Sequence, residues 1–65
     1  MDEQLLMKYV PKKYRDYVLD LYKDIDGYWL ILKDGYKSTT TDTPTIHEFT
    51  IKELKSALPT IIKDV

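Results

Sequence analysis

An Asp-Gly pair between two apolar-rich segments constrains this chain more than any other feature. Asp26-Gly27 follows Val18-Leu19-Asp20-Leu21-Tyr22-Lys23-Asp24-Ile25 and precedes Tyr28-Trp29-Leu30-Ile31-Leu32. A type I′ turn needs positive φ at both central residues, and Asp-Gly supplies it at low cost, so the stretch reads as a β-hairpin. Residues 24–36 also hold both glycines, the only tryptophan and the densest apolar run.

The register follows from the turn. With Asp26-Gly27 at the turn positions, Ile25 faces Tyr28, Asp24 faces Trp29, Lys23 faces Leu30, Tyr22 faces Ile31 and Leu21 faces Leu32. Side chains alternate across a strand. One face then carries Leu19, Leu21, Ile25, Tyr28, Leu30 and Leu32, with Lys23 as the exception; this is the expected core face. The other carries Val18, Asp20, Tyr22, Asp24, Trp29, Ile31 and Lys33. A rival reading stays open: Tyr14, Tyr17, Val18, Leu21, Tyr22 and Ile25 also recur at helical spacing. The strand reading is preferred because the hairpin needs a first strand.

The flanks are read from their end signals. Residues 1–10 form a short helix, capped by Asp2, with Leu5, Leu6, Tyr9 and Val10 on one side and Pro11 at its end. Asp34-Gly35 marks a second turn, and the polar stretch 37–45 is a surface loop, with room for some extended pairing at its start. Residues 45–49 alternate enough for a short third strand. Thr50-Ile51-Lys52-Glu53 is a capping box that starts a C-terminal helix. Its stripe is Ile51, Leu54, Ala57, Leu58, Ile61, Ile62 and Val65. Pro59 interrupts it, so a helix over 51–58 and then a kink or short turn through 60–64 are expected. The fold class is α+β: a small antiparallel sheet, with the C-terminal helix packed on one face and a short N-terminal helix.

Size and composition exclude several functions. The 65 residues form one small domain, 1–65. A chain this short has marginal stability and relies on tight packing or self-association once disulfides are gone. It has no cysteine and one histidine, which removes disulfides and the usual zinc sets. The net charge of -1 argues against generic electrostatic binding to nucleic acid. No apolar run approaches the roughly 18 residues of a membrane span, and no signal peptide is read. Lys12, Lys13 and Arg15 are followed by Asp16 and read as a solvated turn rather than a phosphate site.

No catalytic residue, metal set or cofactor is assigned. His47 and Glu48 are neighbours in a strand and point to opposite faces, so they do not act as a pair. His47 is expected to make a structural hydrogen bond near the helix start. Asp20, Asp24, Asp26 and Asp34 lack calcium-loop spacing and suit turns. What remains is a surface. Tyr22, Trp29 and Ile31 share the face opposite the core, and Trp and Tyr are enriched among interface hot spots. A second copy of the chain or the N-terminal helix could also cover that face, and a homodimer would suit a chain of this size. Its aromatics could stack bases, which makes a single-stranded nucleic-acid binder the alternative function.

Asp26-Gly27-Tyr28-Trp29, Leu32-Lys33-Asp34-Gly35-Tyr36 and Thr45-Ile46-His47-Glu48 before Thr50 resemble a group of small bacteriophage and prophage proteins. The likeness covers about residues 17–58. Many of those proteins have a further histidine where Pro44-Thr45 stands here, and an acidic residue where Phe49 stands. The resemblance implies a phage accessory protein in the cytoplasm of the bacterial host, and it supplies no residue roles. The function it suggests is a non-catalytic protein-interaction module that binds a host protein, such as an inhibitor of host defence of the anti-CRISPR kind.

Overall fold

Helix α1 (Glu3–Tyr9) and one turn of helix, α2 (Lys12–Arg15), precede the hairpin of β1 (Val18–Asp24) and β2 (Gly27–Leu32). Short strands β3 (Tyr36–Ser38) and β4 (Thr45–Glu48) follow, then α3 (Ile51–Ala57), a 3-10 turn (Leu58–Thr60) and β5 (Ile61–Lys63). The computed structural model describes residues 3–63. The fold is α+β: an antiparallel sheet in the order β1-β2-β4, a two-stranded β3-β5 ribbon, and helices before and after the three strands of the main sheet. The segment open to two readings is a strand from Val18 onward. Asp2 and Val65, read as a cap and a stripe residue, lie outside the described residues.

The hairpin register differs from the expected one, yet most side chains keep their face. Asp24 pairs with Gly27, Tyr22 with Trp29 and Leu21 with Leu30. Ile25 and Asp26 are the turn residues, and neither has positive φ; Gly27 does, at 120°. The glycine therefore follows the turn instead of sitting at its centre. The pairing slips by two residues along β2, and an even slip preserves the faces. Ile25 is the casualty: expected in the core, it projects from the turn at 101% exposure.

Gly27 is fixed by a close approach as well as by its φ. A Cβ there would lie 2.7 Å from the Glu48 carbonyl oxygen and 3.1 Å from the Phe49 Cα. Only a residue without a side chain lets β4 pass this near.

A second departure lies at the start of β1. Val18 pairs with Leu32 and Asp20 with Ile31, so Leu19 is an extra residue in the ladder. Such a bulge reverses the alternation on its N-terminal side. Val18, expected outside, is buried at 3%, and Leu19, expected inside, is 63% exposed.

The core joins Val10, Val18, Leu21, Leu30, Leu32, Ile46, Leu54 and Leu58. Leu54 and Leu58 bring α3 and the 3-10 turn onto the inner face of the sheet, and fully burying each such side chain contributes ~1.5–3 kcal/mol. Tyr9 of α1 meets Tyr28 edge-on at 6.5 Å. Lys23, the exception on the core face, lies opposite Tyr28 and holds its ammonium 5.4 Å from that ring centre. Lys23 stays exposed, so a lysine is tolerated at this position of the core face.

Arg15 closes α1: Nε donates to the Val10 carbonyl at 2.8 Å and a terminal nitrogen to the Met7 carbonyl at 2.9 Å. A cation satisfying the last carbonyls of a helix also complements its dipole. Thr50 caps α3, accepting from the Glu53 amide at 3.2 Å. The return bond of the expected box is different, since the Thr50 hydroxyl itself donates to the Glu53 carboxylate at 2.9 Å.

The helix breaks at Pro59 as expected, but the residues after the break form a strand where only a kink or short turn through 60–64 was expected. Pro59 has no amide to donate, and α3 gives way to the 3-10 turn that contains it. Ile61 and Ile62 then form β5 against Ser38 and Lys37. Ser38, buried at 1%, lies 2.8 Å from the Thr60 hydroxyl, which bonds the Ala57 carbonyl at 2.5 Å. Thr60 spends its single proton on that carbonyl, so Ser38 is the donor of the pair.

Candidate functional site

The outer face of the three-stranded sheet brings together Tyr22 from β1, Trp29 from β2 and His47 from β4. Trp29 is paired with Tyr22 on one side and with His47 on the other. Directly opposed residues share a face and bring their side chains into contact. The Tyr22 and Trp29 rings are stacked, 6.4 Å apart and 15° from parallel. Trp29 and His47 are closer, 4.0 Å apart and 19° from parallel. Phe49 meets His47 edge-on at 5.2 Å.

Two hydrogen bonds lock this row to the hairpin turn. One oxygen of Asp24, Oδ1, accepts from the Asp26 amide at 2.8 Å and from the Trp29 indole at 3.0 Å. His47 Nε2 lies 2.6 Å from the Asp26 carbonyl oxygen. A carbonyl only accepts, so Nε2 carries the proton. The expected structural hydrogen bond of His47 therefore goes to the hairpin turn, not to the helix start. His47 and Glu48 point to opposite faces, as the alternation requires.

The three residues singled out by sequence, Tyr22, Trp29 and Ile31, lie on this one face, and none of them packs on the core cluster. Tyr22 is 38% exposed; Trp29 and Ile31 are half-buried by their neighbours. Beyond Ile31 the face opens into a groove of ≈ 390 Å³ that also involves Leu19, Lys33, Tyr36 and Pro44. Exposed Phe49 and Leu19 extend the apolar surface at opposite ends of the face.

Three of these residues were missed from sequence. His47 and Phe49 belong to the row through the Trp29–His47 pairing. The alternation of Thr45, His47 and Phe49 was visible, but the neighbour of β4 in the sheet was not. Leu19 arrives through the bulge, which has no local sequence mark.

No group of acidic, cysteine or histidine side chains among the described residues is arranged to hold a metal. No described helix is long and apolar enough to cross a membrane. No protein-family model, curated protein or solved structure matches the chain.

Proposed function

We propose that this chain is a non-catalytic protein-interaction module, encoded by a phage and acting on a host protein in the bacterial cytoplasm, as an inhibitor of host defence would. The observation that carries the reading is the outer face: an aromatic row of Tyr22, Trp29, His47 and Phe49 outside the core cluster, with Ile31 and Leu19 beside it. Aromatic side chains with few rotatable bonds lose little entropy on docking and dominate interface energies. The phage assignment rests on the motif resemblance alone.

A single-stranded nucleic-acid binder is less well supported. Bases bind such sheets by stacking on free ring faces. Here Trp29 is stacked on His47 at 4.0 Å and flanked by Tyr22 at 6.4 Å. The net charge of -1 supplies no electrostatic pull toward phosphates.

The test is affinity capture from host lysate by the wild type and by Tyr22→Ala/Trp29→Ala, with circular dichroism to confirm that the variant folds. The wild type is expected to retain host proteins that the folded variant loses. Equal capture by both removes the outer face as the docking surface.

A further inference from the structure

The outer face is charged unevenly. Asp20, Tyr22 and Asp24 alternate along β1 and point to this face, in steps of about 7 Å. Asp26 follows in the turn. The only ion pair among the described residues is Lys37–Asp42, so Asp20, Asp24 and Asp26 all lack an ion-pair partner there. The one lysine of β1, Lys23, is turned to the other face, over Tyr28.

Tyr22 sits between two of these carboxylates on an edge strand. One side of its ring lies toward Trp29. No strand of the sheet covers the other side. Asp24 uses Oδ1 for both of its local hydrogen bonds, which leaves Oδ2 for a further donor. An exposed ring flanked by carboxylates suits a guanidinium or ammonium group, which can lie over the ring and bond the acids together.

We propose that the outer face docks a cationic segment of a protein partner, with arginine or lysine side chains seated on Tyr22 between Asp20 and Asp24. The inference rests on the reading of this face as a docking surface and names the chemistry of what docks there. Charge complementarity selects this occupant. A second copy would bring the same aspartates to the contact, and a nucleic acid would bring phosphates to an acidic edge.

The test is a fluorescence-anisotropy titration of the full chain, at low and at physiological salt. The probes are a labelled peptide of alternating arginine and serine and a matched peptide of alternating glutamate and serine. Asp20→Asn/Asp24→Asn/Asp26→Asn keeps the amide-accepting oxygens of the turn while removing the charges. Asp16→Asn/Glu48→Gln/Glu53→Gln, away from this face, is the control of equal net charge.

The arginine peptide is expected to bind with a salt-sensitive affinity. The face variant should weaken it about tenfold, since each lost surface ion pair costs a factor of a few. Tyr22→Ala should weaken it as well, and the control should leave it within about twofold. The proposal is overturned if the glutamate peptide binds equally well or the face variant keeps full affinity. Equal weakening by the control overturns it too, as does a single-stranded oligonucleotide that binds as tightly. A dimer of the wild type that Tyr22→Ala dissolves would assign the face to a second copy instead.

The two readings fail separately. A host protein lost by Tyr22→Ala/Trp29→Ala but kept by the face variant overturns the cationic partner and leaves the docking surface standing. One kept by both removes the docking surface itself.

Discussion

Trp29 and His47 lie face to face across the β2–β4 pair, their ring centres 4.0 Å apart. The same imidazole donates to the Asp26 carbonyl at 2.6 Å. One side chain of β4 thus fastens both the centre of the outer face and the turn that joins β1 to β2.

His47→Ala is therefore expected to destabilise the fold by about 1–3 kcal/mol, through loss of the ring contact and of the hydrogen bond. Urea denaturation followed by the emission of Trp29, the only tryptophan, measures it. His47→Gln can still donate to the carbonyl and should recover part of the loss. An unchanged midpoint in His47→Ala would show that the clamp contributes nothing.

The two glycines separate backbone strain from steric collision. Both have positive φ, 120° at Gly27 and 90° at Gly35. A Cβ at Gly35 meets nothing within 4 Å, whereas one at Gly27 meets the Glu48 carbonyl oxygen at 2.7 Å. Gly35→Ala should cost roughly 1 kcal/mol, for the strained conformation alone. Gly27→Ala should cost clearly more, roughly 2–4 kcal/mol, because β4 must also move. Equal losses in thermal unfolding would deny the close approach.

Ser38 ties the β3-β5 ribbon to the end of the 3-10 turn through Thr60. Ser38→Ala leaves Thr60 bonded to the Ala57 carbonyl and removes two part-buried bonds, the one given to the Thr60 hydroxyl and the longer one accepted from the Thr40 amide. The expected cost is about 1–2 kcal/mol. Amide exchange in Ile61–Lys63 should accelerate before that in β2. Uniform acceleration would mean that the ribbon is not a separately opening unit.

Lys37 lies 2.6 Å from Asp42 and holds its carboxyl below the usual aspartate range, by its hydrogen bond first and its charge second. A carboxyl depressed in the folded state adds stability above its unfolded value and loses it as pH falls through the folded one. The contribution should be full at neutral pH and vanish in strong acid. Asp42 is exposed and Lys37 only half-buried, so the contribution is small and screened by salt. An NMR titration of Asp42 should show its midpoint rising in Lys37→Gln or at high salt; a midpoint that stays put in the variant removes Lys37 as the cause.

Much of the outer face was legible because strand alternation tolerates an even slip. Tyr22, Trp29 and Ile31 keep their side although the turn residues are Ile25 and Asp26 rather than Asp26 and Gly27. Gly27 misled because a positive-φ glycine serves equally well inside a turn and directly after it. The bulge at Leu19 was not legible, since one extra residue in a ladder leaves no pattern in a chain of alternating apolar residues. Nor was β5: Ile61 and Ile62 continue the helical phase of α3, and only the break at Pro59 and the pairing with Lys37 and Ser38 decide against it. His47 was read as structural, which fits its hydrogen bond. Its place beside Trp29 needed the order of the strands, which is a long-range property.

The central claim is that the outer face, and not the helical side, meets the partner. A photo-reactive phenylalanine analogue at position 22, and separately at Ser56 on the exposed side of α3, tests it in host lysate. Cross-linked adducts from position 22, competed by unlabelled wild type and absent from position 56, are the predicted result. Adducts from position 56 with none from position 22 would contradict it.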